Sequence, residues 1–282
     1  MLIVDAQVHT WTRSTPERPW PPTSPEIPAP HKPEPFTNDD LLREMNAAGV
    51  QAAILVTPLF EGCRNDLVLA AAQQYPARFG VMGRIDILDP ATPAAIPRWL
   101  DQRGMLGLRL LFNRGKQRDP LVDGRADWLW PAAEKAGVPI MLLAKHSDLH
   151  YIDRIAEKHP GLKITIDHLG LTTGVDDEAF RELDKLLVMA RRPNVSVKVS
   201  CLPHFSSAAY PYRNLFPYIR RVYDSFGPRR MFWGTDMSRL PCSYREAIEM
   251  YTQEIDWLTP DDKAWIMGRA VCAWLNWTLP GA

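Results

Sequence analysis

The sequence predicts a single (β/α)8 barrel spanning residues 1–282, and three observations predict it. Short β-rich apolar runs alternate with longer segments of helical period eight times along the chain. At 282 residues and 46% hydrophobic content the chain can bury one large core. Three runs close on polar fragments, Asp5-Ala6-Gln7-Val8-His9, Ile164-Thr165-Ile166-Asp167-His168 and Trp233-Gly234-Thr235-Asp236, which would all emerge at the C-terminal ends of parallel strands. That is the face on which such barrels carry their chemistry. An open doubly wound sheet is the structural alternative.

The expected strands lie at residues 2–8, 51–56, 80–82, 106–111, 139–143, 162–166, 195–199 and 231–233. After the first comes a Pro-rich loop, residues 15–35, with nine prolines, Trp20 and His31. In a barrel it would lie over the mouth as a stiff wall, with a disordered arm or a dimer contact as the other reading. Asp39 would cap a helix carrying Leu41, Leu42 and Met45, and later helices would run over 126–136 to Gly137 and over 152–159 to Pro160-Gly161. The segment 261–277 places Trp265, Ile266, Met267, Val271, Trp274 and Leu275 at helical spacing, as packing residues.

Composition excludes several classes. Lys+Arg and Asp+Glu both count 33, so the net charge is 0 and no global field attracts nucleic acid or an anionic membrane. The start at Met1-Leu2-Ile3-Val4 shows neither a basic n-region nor a long apolar core, so the chain reads as soluble and cytoplasmic. Cys63, Cys201, Cys242 and Cys272 form no C-x-x-C pair, which argues against a zinc knuckle or a disulfide framework. There is no G-x-S-x-G elbow, phosphate loop or dinucleotide fingerprint. A small-molecule substrate is the expected partner, and the Trp- and Pro-rich segments could supply a homo-oligomer interface.

Residues two apart in a strand point the same way, so Asp5, Gln7 and His9 should share one face, the last two aimed at the mouth. Metal-dependent hydrolysis needs imidazoles and a carboxylate around a divalent ion, and a strand carrying His-x-His supplies two ligands economically. This strand carries Gln-x-His, and a neutral amide oxygen is a poor zinc ligand. Arg84 and Arg109 end the third and fourth strands and could grip a substrate carboxylate, an ion pair with an acid such as Asp86 being the competing reading, weaker for Arg109. Lys198 is an interior lysine in an apolar strand, to be paired or functional, with Asp5 or Asp167 as its structural partner. Tyr212, with its neighbours Tyr210 and Phe205, would shape the substrate pocket.

Taken together, residues 3–9, Gly107-Leu108-Arg109, Ile166-Asp167-His168-Leu169-Gly170, Val197-Lys198-Val199-Ser200 and Phe232-Trp233-Gly234-Thr235-Asp236 resemble the amidohydrolase superfamily over nearly the whole chain. Within it they resemble the amidohydrolase-related group of sugar-lactone and pyrone-dicarboxylate lactonases and metal-dependent decarboxylases. The resemblance implies a hydrolytic centre at the mouth, with His9 and His168 as ligands or polarising groups and Asp236 activating water. Two positions depart from it: Gln7 replaces the leading histidine, and the fifth strand ends in Leu143 where metal-binding relatives carry histidine. Lys145 and His146 follow and could substitute from the loop, His146 also as a substrate contact.

The expectation is therefore an enzyme that hydrolyses a small lactone or cyclic ester without a cofactor. Asp236 would be the base, His9 and His168 would polarise the carbonyl, and Gln7, Arg84, Arg109, Lys198, His146 and Tyr212 would bind substrate. A divalent metal such as zinc on His9, His168 and Asp236 is the alternative, and would serve a nonoxidative decarboxylase or other metal hydrolase. A silent metabolite-binding barrel is the remaining rival.

Overall fold

The computed structural model describes residues 1–279, so the last three residues of the expected 1–282 domain lie outside the described residues. Eight parallel strands form one sheet in sequence order: β1 (Val4–Val8), β2 (Ala52–Val56), β3 (Phe79–Gly83), β4 (Met105–Leu111), β5 (Ile140–Leu143), β6 (Ile164–Ile166), β7 (Val195–Ser200) and β8 (Met231–Gly234). All eight expected strands are present, each within about two residues of the expected bounds. Helices alternate with them on the outside, giving a nearly closed (β/α)8 barrel.

The closing seam between β8 and β1 is made by a side chain. Asp5 accepts from the Thr235 amide at 2.9 Å and the Gln7 amide at 3.0 Å on one oxygen, and from the Tyr244 hydroxyl at 2.9 Å on the other. The Asp236 amide then donates to the Gln7 carbonyl at 3.0 Å, which ties the end of β8 to the end of β1. Gly234 allows this approach: a Cβ there would stand 3.1 Å from the Asp5 carboxylate and 3.2 Å from two backbone nitrogens.

The strict alternation expected in β1 does not hold. Its register against β2 shifts between Asp5 and Val8, so the strand carries a bulge. Val4 and Ala6 pack with Ile54, Met82, Met141 and Phe232 in the lower barrel interior, and Asp5 instead turns to the seam. The extra residue re-aims Gln7 and His9 into the mouth, so Asp5 does not share their face. Below, the C-terminal segment covers the barrel base with Val271 and Leu275; it is not one regular helix, because a π-helical turn, Trp265–Arg269, separates Pro260–Ala264 from Ala270–Leu275.

Other local expectations are corrected in detail. The helix Asn38–Ala48 is capped by Thr37, whose hydroxyl accepts from the Asp40 amide while the Asp40 carboxylate reaches back to the Thr37 amide, so Asp39 is not the cap. Helix Leu129–Ala136 ends at Gly137 in the left-handed region, as the sequence implies. Gly107 in β4 has a packing reason: a Cβ would run into the Pro139 carbonyl oxygen and the Met82 side chain. Gly107→Ala is expected to cost about 1–3 kcal/mol, because the obstacle is backbone. Chemical denaturation checks this, and an unchanged midpoint would contradict it.

Candidate active site

Five strands deliver the polar groups. His9 follows β1, Arg84 follows β3, Arg109 lies in β4, and His168 and Asp236 directly follow β6 and β8. His168 and Asp236 both have φ of 50°, in the left-handed region that non-glycine residues seldom occupy. Left-handed turns just after two different strands point both side chains over the barrel axis, and such outliers gather where function holds them. The resulting cavity holds about 760 Å³ counting its open side, and Gln7, His9, Arg84, Arg109, His168 and Asp236 all line it.

Hydrogen bonding sets the protons. His9 Nδ1–H donates to the Val56 carbonyl at 2.7 Å, so its Nε2 lone pair faces Asp236 Oδ1 at 3.3 Å. Asp236 is 2% exposed and its Oδ1 has no hydrogen-bond partner. Burial raises the Asp236 carboxyl, but the positive potential of His9, His168, His31 and Arg239 outweighs it and holds the group below its ordinary value. Burial lowers His9 in spite of Asp236. At neutral pH the pair is a carboxylate beside a neutral imidazole, two acceptors facing one point.

A second chain of contacts runs beneath. Lys198, fully buried, lies 2.9 Å from Asp167 Oδ1 and donates to Gln7 Oε1 at 2.8 Å. Arg109 Nε donates to Asp167 Oδ2 at 2.7 Å. The ammonium therefore fixes the Gln7 amide with its oxygen down and its nitrogen toward His168 Nε2, 3.1 Å away. His168 Nε2 must accept there, and its Nδ1–H donates to Ser200 Oγ at 2.9 Å. Burial, opposed by Asp236 and Asp167, brings His168 down to about 4, so it is neutral. His168 thus presents no N–H to the cavity, contrary to a carbonyl-polarising role.

The remaining expected site residues divide. Arg109 does have an acidic partner, but it is Asp167 rather than Asp86, and it still reaches the cavity wall. Of Lys198's two candidate partners the structure selects Asp167, and Lys198 stands behind Gln7 instead of in the wall. Among the described residues Arg84 has no carboxylate partner; Asn65 clamps its backbone from both sides, at 2.8 and 2.9 Å, and its Nε is buried without a partner there. Burial beside Arg109 pulls that guanidinium down to about 10, still charged at neutral pH. His146 does not reach the site: it is buried with Nε2 2.7 Å from the Leu169 carbonyl, packed against Gly170, while Lys145 faces solvent. Neither replaces a ligand at Leu143. Tyr212 is buried against Tyr210 and does not line the cavity.

Sequence reasoning placed His31 only within a segment expected over the mouth and missed the cavity residues Asn113, Arg114 and Arg239. His31 comes from the Pro-rich segment, bonds Ser238 Oγ at 2.7 Å through Nδ1, and meets the His9 ring edge-to-face at 6.1 Å. That segment is pinned by Trp20 packed at a tilt on Phe60, ring centroids 4.8 Å apart, and by Arg18 on Glu61 and Asp66. Of the missed residues Arg239, three residues beyond Asp236, was the one with a local signal.

Metal candidates His9, His168 and Asp236 do meet at the mouth, but their donors are unevenly free. His168 Nε2 is taken by Gln7 and Gln7 Oε1 by Lys198, which leaves His9 Nε2 and the Asp236 carboxylate. Among the described residues no group of three or more His, Cys, Asp or Glu side chains is arranged to hold a metal ion. No helix of the described residues is long and apolar enough to cross a membrane.

A family model described as Amidohydrolase matches residues 4–270. The chain is 27% identical to an L-fucono-1,5-lactonase of Burkholderia ambifaria, over 95% of this chain and 93% of that protein. It is also 27% identical to a 4-sulfomuconolactone hydrolase of Hydrogenophaga intermedia, over 70% of this chain and 64% of the relative. Among solved structures, an amidohydrolase of Burkholderia multivorans with bound zinc superposes with a TM-score of 0.81 at 19% identity, covering 99% of this chain and 100% of that one. A probable 2-pyrone-4,6-dicarboxylic acid hydrolase of Acinetobacter baumannii with citric acid bound superposes with 0.75 at 18% identity, over 98% and 100%. These structures share the fold.

Proposed function

The chain belongs to the amidohydrolase family, and on that premise we propose that it hydrolyses a small anionic lactone without a metal ion, with Asp236 as the base. The observation that carries this is the pair of unsatisfied acceptors, His9 Nε2 and Asp236 Oδ1, 3.3 Å apart at the centre of the cavity. A water donating one hydrogen to each would satisfy both and aim its lone pairs into the cavity. Its oxygen attacks the lactone carbonyl carbon as Asp236 takes the proton. The carbonyl oxygen becomes an oxyanion, and Arg109, anchored through Nε on Asp167, offers its remaining N–H groups to it. Collapse breaks the ring acyl C–O bond, and Asp236 returns the proton to the departing alkoxide, giving a hydroxy acid. His9 orients the water, while His168 and Lys198 position Gln7. Lactonase activity in the two curated relatives supports the reaction class.

Zinc, which one structural relative carries, does not fit the donors this chain presents. Two free donors, a buried ammonium behind Gln7 and four arginines in the wall make a poor seat for a dication. The same positive wall favours a carboxylate or similar anion on the substrate, held by Arg84. The cytoplasm is the location we propose for such a reaction.

A panel of lactones assayed by proton release tests the reading, with turnover of at least one carboxylate-bearing lactone expected and none on any member contradicting it. Because His9 lies below its ordinary 6.5 and Asp236 below 3.8, kcat/KM should be flat across neutral pH and fall only on the acid side. A rate that still climbs as pH rises through 7 would report a base that deprotonates there, and would assign the base elsewhere.

A further inference from the structure

We infer that the reaction cavity opens into an apolar annex that receives an alkyl or aryl arm of the substrate, making the ligand an amphiphile with its anionic group on Arg84. The inference rests on the lactone reading and names the kind of lactone. A second hollow, about 1010 Å³ counting its open side, shares Leu59, Arg84, Arg109 and Leu111 with the reaction cavity, so the two adjoin along these side chains. Beyond the junction its wall is formed by Ile27 of the Pro-rich segment, by Ile85, Ile87 and Leu88 after β3, and by Pro120. Leu88 is 50% exposed and Ile85 and Ile87 are half-buried, so the surface is apolar and uncovered by the chain itself.

The acids bordering the annex are committed elsewhere. Asp86 accepts from the Leu88 amide at 2.9 Å, and Glu26 accepts from the Ser24 hydroxyl at 3.1 Å and the Lys116 amide at 3.4 Å. At the junction stands Arg84, charged, with a buried Nε that has no partner. Its guanidinium, half-buried beside Cys63, has no carboxylate partner among the described residues, so a bound anion would neutralise it and set its apolar substituent against Ile87 and Leu88. A bare polyhydroxylated ring would leave that surface wet and bury hydroxyls against side chains that cannot bond them.

Straight-chain carboxylates test this by titration calorimetry, which needs no turnover. From butanoate to octanoate the wild-type Kd is expected to fall about threefold per added methylene. Arg84→Gln should weaken every chain length alike, and Ile87→Asn/Leu88→Asn should flatten the chain-length dependence. Leu88→Asn alone, at a half-exposed position, should lower the slope in part and guards against misfolding of the double variant. A Kd independent of chain length in the wild type, or an unchanged slope in both variants, overturns the annex. In the lactone panel, a carboxylate-bearing lactone with a pentyl arm should exceed its unsubstituted carboxylate-bearing parent in kcat/KM. Equal values would remove the annex and leave the lactone reading standing, while octanoate binding without turnover of any lactone would do the reverse.

Discussion

Asp236→Asn is expected to lower kcat about 10³- to 10⁴-fold while KM changes little. The substitution keeps the volume and the left-handed turn that aims residue 236, where φ is 50°, since asparagine tolerates that region well. What it removes is the acceptor opposite His9: an amide cannot take the water's proton, and its NH2 would cap the His9 Nε2 lone pair, now 3.3 Å from Asp236 Oδ1. The loss should therefore appear in the chemical step. Stability offers an independent check, because a buried carboxylate whose Oδ1 lacks a partner is replaced by a neutral group. The variant should melt no lower than wild type. A kcat within tenfold of wild type would assign the base to another residue, and a collapsed fold would make Asp236 structural.

Asp167→Asn is expected to cost about 3–5 kcal/mol of stability at pH 7. One carboxylate, fully buried, neutralises both Lys198 and Arg109, at 2.9 and 2.7 Å, so the variant strands two buried cations. For a chain of this size that corresponds to a fall in melting temperature of about 6–20 °C. Burial works against the Asp167 carboxylate, but Lys198, then Arg109 and His168, pull it down to about 2 against an ordinary 3.8. A depressed carboxylate contributes stability that is present in full above the unfolded-state value near 4 and is lost as pH falls through about 2. The difference between variant and wild type should therefore hold at neutral pH and shrink in that acid window. Urea denaturation measures it, and a deficit below about 1 kcal/mol at pH 7 would show that the pair is not what holds Gln7 and His168 in place. Asp167→Asn combined with Lys198→Met should recover part of the loss, since one stranded charge is then gone.

The eight strands were legible because each is a β-rich apolar run that a turn residue interrupts, and parallel strands buried on both faces must read that way. His9, His168 and Asp236 were legible as strand-end residues, and they do meet. The bulge in β1 was not, because a period of two is the only template a single strand offers, and nothing local marks the extra residue between Asp5 and Val8. That miss placed Asp5 on the wrong face. The partner of Lys198 was narrowed to two acids and no further, since choosing Asp167 over Asp5 depends on β6 lying beside β7 while Asp5 is spent on the seam. The amide orientation of Gln7, and with it the tautomer of His168, follows from Lys198, about 190 residues away in sequence (191 positions). His146 failed as a site residue because the turn His146–Asp148 folds it under Gly170. Arg84 was weighed against Asp86, but Asp86 is used by the Leu88 amide.

The most direct test of the central claim is turnover against metal content. Protein purified through a strong chelator, with bound zinc, manganese and iron quantified by mass spectrometry, should hydrolyse its lactone with unchanged kcat at well under 0.1 metal per chain, about the level at which a metal enzyme would have lost most of its rate. Added zinc should not raise that rate. Activity that tracks the bound metal and returns on its addition would contradict the account, and would mean that His168 is released from Gln7 to join His9 and Asp236 as a ligand.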